Sequence, residues 1–152
     1  AGDGQARMPT ALSGIDDVTW QGWQWCTDIT LRQWQKLAIN AIINPLTALF
    51  DCRNGALLDQ GPRQQAMAAL AQELDHLIPH WLPQWPGHSM ALAEQVAAQT
   101  ANNISSMLAD ARAGRITEVN YINGYVVRQA RAHQLDAPEN DAICARISTL
   151  HD

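Results

Sequence analysis

The stretch KLAINAIINPLTALF, Lys36 to Phe50, decides how this chain is read. No charged residue follows its first, and Leu37, Ile39, Ile42, Ile43, Leu46 and Leu49 fall on most sides of a 3.6-residue period. A helix that is apolar on nearly every side belongs at the centre of a core. Three polar residues stand out against it. Lys36, Asn40 and Asn44 are spaced four apart and so share one stripe. Lys36 is the only lysine in a chain that uses nine arginines. Asp28 or Thr30 is placed to cap this helix, which runs by its spacing to about Asp51. Pro45 deletes an N–H within it and predicts a kink.

The helical period recurs downstream. Pro62–Ile78 reads as a second helix, with proline at its start. His80–His88 reads as a turn. Ser89 is placed to cap a long helix through Arg112, which Gly114 ends, and Thr117 to cap another from Glu118 to about His133. A last helix follows Pro138. Residues 1–27 are rich in Gly, Thr, Asp and Trp and lack this period. In WQGWQWC, Trp23 and Trp25 stand two apart, as in a short strand. Apart from that opening segment the expected class is all-α.

Composition narrows the function. The chain has 152 residues, 47% of them hydrophobic and 16% charged, enough for one domain with a real core. A net charge of −5 without lysine or arginine runs argues against a nucleic-acid or anionic-membrane partner. No apolar run approaches the roughly 18 residues of a membrane-spanning helix. Cys26, Cys52 and Cys144 are odd in number, widely spaced and free of any CxxC pair, which fits a reducing, cytoplasmic setting and neither a disulfide framework nor a zinc site. His76 and His80 have the i, i+4 spacing of a metal pair, with Glu73 and Asp75 nearby. Pro79 intervenes and no third ligand is placed, so no metal is expected. Cys52 reads as a packed thiol.

The stripe admits two readings. In one, Lys36 reaches solvent along its own stem and the asparagines bond to neighbouring backbone. In the other, it lines a ligand cavity. Amides offer donors and acceptors to hydroxyl and carboxylate oxygens, and a lysine held among them can give a proton to an oxygen that is becoming negative. A second cluster lies in NNISSMLADARAGRITEVNYINGY, Asn102 to Tyr125. There Asn103 and Ser106 are i, i+3 on the expected long helix, and Glu118 opens the next one. A carboxylate in a first turn also suits the helix dipole, and small serines suit close packing. Taken together these residues describe a site for a small, oxygen-rich anion, with a lysine–glutamate pair at its centre.

KLAINAIINPLTALFDCRNG, SSMLADARAGRITEVNYINGYVVRQA and the late APEN closely resemble the C-terminal helical domain of the ketopantoate reductases (2-dehydropantoate 2-reductases), from about Leu31 onward. The resemblance implies an all-α domain of the 6-phosphogluconate-dehydrogenase C-terminal type over residues 28–152. It also implies reduction of 2-dehydropantoate to pantoate with NADPH, on the way to pantothenate and coenzyme A. Lys36 matches the catalytic lysine that gives its proton to the ketone oxygen. Asn40, Asn44 and Asn54 match asparagines that bind or arrange the substrate. Asn103 and Ser106 match the family's substrate-contacting helix, Ser106 the better of the two, and Glu118 matches the glutamate that hydrogen-bonds the substrate near the lysine and the nicotinamide. Asn120 departs from the aspartate frequent in the family.

No dinucleotide fingerprint is present: GDG at Gly2–Gly4 continues as QAR. Residues 1–27 are therefore expected to be the tail and linker of an N-terminal Rossmann domain that holds NADPH, and the chain a C-terminal fragment, inactive alone. Trp20, Trp23, Trp25 and Trp34 are then candidates for surface left bare, which favours self-association. Two other readings remain at this point: a relative acting on another 2-oxo acid, and a non-catalytic helical binding or dimerisation module.

Overall fold

The computed structural model describes residues 28–151. They form six α-helices: α1 (Ile29–Leu49), α2 (Pro62–Leu77), α3 (Ser89–Gln99), α4 (Ser106–Arg112), α5 (Val119–Ala132) and α6 (Pro138–Ser148). Short 3-10 turns lie at Asn54–Leu58, Ile78–His80 and Thr149–His151. Among the described residues there is no strand, and no helix is long and apolar enough to cross a membrane. The strand expected around Trp23 and Trp25 lies outside the described residues.

α1 is the central element and touches each of the other five helices. Asp28 starts it. Its carboxylate accepts from the amide of Leu31 at 2.9 Å and from Gln84 Nε2 at 3.1 Å. These bonds, the Leu31 amide foremost, hold the Asp28 carboxyl below its ordinary value. From Ala38 onward α1 is enclosed. Ala41 and Ile42 are fully buried and Leu46 nearly so, and such a leucine or isoleucine contributes about 1.5–3 kcal/mol by burial. The helix continues through Pro45 to Leu49. The carbonyl of Ala41, which Pro45 cannot serve, accepts instead from Asn123 Nδ2 of α5 at 2.8 Å.

The long helix expected from Ser89 to Arg112 is two helices. α3 ends at Gln99, and α4 begins at Ser106, where Ser105 caps it by accepting from the amide of Leu108 at 3.0 Å. Asn103 and Ser106 therefore do not share one helical face. The cause is tertiary. The turn after α1 takes the backbone carbonyls that a continuous helix would use: Asn54 N–H donates to Asn103 O at 3.0 Å and Gly55 N–H to Ala101 O at 3.1 Å. Gly55 permits this approach, because a Cβ there would lie 2.6 Å from Ala101 Cβ. Gly114 ends α4 as expected, at φ +63, with the amides of Gly114 and Arg115 returning to Ala111 and Asp110.

Two helix starts are capped from α2. His88 holds the cap position of α3, where Ser89 was expected. Asp75 accepts from the Ser89 amide at 3.2 Å, from its hydroxyl at 2.6 Å and from the Trp85 indole N–H at 2.9 Å. Glu73 accepts from the amides of Glu139 and Asn140, at 2.7 and 2.9 Å, at the start of α6. At α5, Glu118 holds the cap position expected for Thr117, and its side chain makes no capping bond.

Candidate active site

The stripe on α1 lies partly open. Lys36 is exposed, which corrects the expectation of a buried ammonium: the neighbouring helices enclose α1 only from Ala38, two residues past it. Lys36 makes no ion pair or hydrogen bond among the described residues, whose ion pairs all join arginine to aspartate. Asn40 and Asn44 are half-buried, and their side-chain amides bond to nothing among the described residues. The stripe continues into a buried contact three residues beyond Asn44. There Thr47 Oγ1 lies 2.6 Å from Ser105 Oγ and donates to the Asn44 carbonyl at 2.8 Å.

That contact locates the second cluster. Ser105 is anchored against the stripe, so Ser106, exposed, opens α4 beside the turn of Asn44. Asn54 is 8% exposed, and its Nδ2 donates to Thr100 Oγ1 at 2.9 Å while its Oδ1 is buried without a partner. Asn103 lies in the α3–α4 break, its carbonyl on the Asn54 amide and its side chain exposed. Arg53 reinforces the joint by donating to the Asn102 carbonyl. Asn44, Ser106, Asn54 and Asn103 are thus gathered at the C-terminal half of α1 by a shared hydrogen-bonded frame.

Glu118 is exposed at the head of α5. α5 packs on the N-terminal half of α1 through Trp34 and Tyr125, whose ring centroids are 5.6 Å apart. A cleft of about 370 Å³ opens between the two helices, lined by Gln33, Trp34, Leu37, Tyr121 and Tyr125. Gln33 and Leu37 border the stripe, at three residues from Lys36 and Asn40 respectively, and Tyr121 lies three residues on from Glu118. Lys36 and Glu118 stand on two helices that pack together, and no ion pair joins them. The lysine and glutamate expected to pair at the centre are both exposed and unjoined among the described residues.

Several expectations about other residues also resolve. Trp34 is half-buried, stacked between Tyr125 and Trp81, whose ring centroid is 5.4 Å away. Trp20, Trp23 and Trp25 lie outside the described residues. Cys52 is half-buried, and burial pushes its thiol above the ordinary value, with Arg63 opposing. The His76 and His80 rings meet edge-on at 5.8 Å on the surface, while Glu73 and Asp75 are both engaged at helix starts. Asn120 is exposed, and its carbonyl accepts from Arg128 at 3.1 Å. The residues that frame the site and that spacing alone did not single out are Thr47, Thr100 and Ser105. Of these, Thr47 carried a usable signal, at i+3 from Asn44.

This helical fold also occurs in a solved dehydrogenase. The solved ternary structure of D-mandelate dehydrogenase with NADH and anilino(oxo)acetate superposes on 84% of this chain and 42% of its own, with a TM-score of 0.76 at 20% identity. Sequence narrows the class. Residues 28–151 match the family described as "Ketopantoate reductase PanE/ApbA C terminal", and the chain belongs to that family. It is 41% identical to the 2-dehydropantoate 2-reductase of Shigella flexneri over 132 residues, 83% of this chain and 39% of that protein. The crystal structure of a probable 2-dehydropantoate 2-reductase from Bacillus subtilis matches at 33% identity and a TM-score of 0.67, over 76% of this chain and 39% of that one. The chain thus spans about two-fifths of the length of these relatives.

Proposed function

We propose that this chain is the helical, substrate-binding part of a reductase that converts 2-dehydropantoate to pantoate with NADPH in the cytoplasm. In this reading residues 28–152 form the substrate domain, and residues 1–27 lead from a dinucleotide-binding domain. One observation carries the reading: a lone lysine, solvent-facing and without a partner among the described residues, heads a stripe of half-buried amides likewise unpaired there, on a helix enclosed from Ala38 onward. An exposed, unpaired ammonium beside half-buried amides is available to a ligand, whereas amides with a purely structural task in a core are paired.

The described helices hold no strand–turn–helix cradle for a pyrophosphate, and what they present is polar side chains suited to a small oxygen-rich substrate. A reduced nicotinamide, when bound, supplies the hydride. This chain's residues then do the rest. Asn40, Asn44, Asn54, Asn103 and Ser106 hold the hydroxyl and carboxylate oxygens of the 2-oxo acid. Glu118 receives a substrate hydroxyl from across the cleft. The Lys36 ammonium stabilises the charge growing on the ketone oxygen and transfers its proton there. Arginine would not serve, because its pKa is too high to release a proton at neutral pH.

The test is Lys36→Ala in the full-length protein, measured as 2-dehydropantoate-dependent NADPH oxidation. A positioned acid contributes roughly 10²–10⁴-fold to kcat, so a drop below about tenfold would falsify the assignment.

A further inference from the structure

Pro45 leaves the carbonyl of the fully buried Ala41 without its partner along α1. Asn123 supplies the missing donor at 2.8 Å and gives its second Nδ2 hydrogen to Asn140 Oδ1 at 2.9 Å. Asn140 Nδ2 donates in turn to Glu73 Oε1 at 2.8 Å, and the same carboxylate accepts from the backbone amides of Asn140 and Glu139. Asn123 and Asn140 are both 0% exposed. The chain has one sense: carboxylate, amide, amide, carbonyl, each group polarising the next in a low-dielectric interior. Both donor hydrogens of Asn123 are used, so neither an aspartate nor an apolar residue can take its place.

The anchored carbonyl belongs to the turn of α1 that carries Asn40 immediately before it and Asn44 three residues after. We propose that Asn123, held through Asn140 by Glu73, is a positioning residue: it fixes the turn at Pro45 and so sets the direction in which Asn40 and Asn44 reach a 2-oxo acid. The proposal rests on the substrate role given above to those two amides. It extends the site to α2, α5 and α6, none of whose residues in this relay touches the ligand. Proline in the helix makes the device necessary. With an ordinary residue at 45 the carbonyl would be bonded along α1, and the turn would be set by local geometry alone.

Asn123→Leu, made in the full-length protein, raises KM for the 2-oxo acid roughly tenfold or more, since small misplacements of binding groups are costly, and leaves KM for NADPH unchanged. Pro45→Ala restores an N–H to the Ala41 carbonyl, so the double variant recovers most of the lost substrate affinity. A residue that merely fills space shows no such rescue. If Asn123→Leu does not fold, Glu73→Ala, at the half-buried outer end of the relay, carries the same test with a smaller rise in KM and the same rescue. Strictly additive effects of the two substitutions overturn the proposal. So does an unmoved KM in both relay variants while Asn40→Ala raises it. An unmoved KM in Asn40→Ala itself overturns the substrate reading beneath, and the proposal with it.

Discussion

The asparagines of this domain fall into two groups, and the contrast between them separates structure from function. Asn123 and Asn140 are wholly buried and joined in a relay that ends on the Ala41 carbonyl. Asn40 and Asn44 lie on the same turn of α1, half-open, with amides that bond to nothing described. A buried amide group left unpaired costs roughly 1–3 kcal/mol. The inner pair is bonded to the Ala41 carbonyl, to each other and to Glu73, and of its side-chain atoms Asn123 Oδ1 alone lacks a partner among the described residues. The outer pair incurs little of that cost, because solvent or a ligand can serve it. Asn54 is less enclosed than the inner pair, with Nδ2 on Thr100 and, like Asn123, an Oδ1 without a partner among the described residues. One residue type thus holds the helix on one side and faces outward on the other.

The contrast yields graded predictions. Leu46→Ala, on the enclosed side of α1, costs about 2–5 kcal/mol in denaturant unfolding, whereas Lys36→Ala, on the open side, changes stability by no more than about 0.5 kcal/mol. Equal losses would mean that the stripe is core after all. Asn140→Ala strips both neighbours of a partner and costs roughly 1–3 kcal/mol. Asn44→Ala stays near zero in the same assay and shows its effect in substrate KM. Gly55→Ala forces a methyl into Ala101 and costs about 1–3 kcal/mol, measured as a lowered Tm, because the α1 turn can no longer seat against the α3–α4 break.

The smallest effect concerns the thiols. Burial raises both Cys52 and Cys144 above 9.0. Alkylation by iodoacetamide at pH 8, followed by mass spectrometry, is therefore slower in the folded protein than in urea. The sign for stability follows. The protonated thiol is preferred by the fold, so this contribution is complete below the unfolded value and is lost as pH rises through the folded one. Unfolding free energy accordingly declines above about pH 9. Equal alkylation rates in the folded and unfolded protein would show that burial does not protect the thiols.

Much of this domain was legible locally. The Ile29–Leu49 helix, its capping Asp28, the proline-led starts of α2 and α6 and the Gly114 stop are signals carried by a few adjacent residues. They agree because hydrogen bonds and caps within a helix span only three or four positions. The α3–α4 break was not legible. Ala97–Met107 continues a helical pattern, and what diverts its carbonyls are donors from up to 49 residues earlier, the amides of Asn54 and Gly55 and the Arg53 guanidinium. Nor was the role of Asn123 and Asn140, which appeared as letters in INGY and APEN.

Periodicity along the chain, then, determined that the domain is helical, that α1 is its centre and that one lysine heads a row of amides. Short-range backbone geometry enforces all three. Tertiary structure decided which of those polar groups are enclosed and which are free. Exposure depends on where neighbouring helices stop, and here they stop two residues beyond Lys36. It also decided how a proline can sit in the central helix, because the donor that replaces its missing N–H comes from a side chain 82 residues away along the chain.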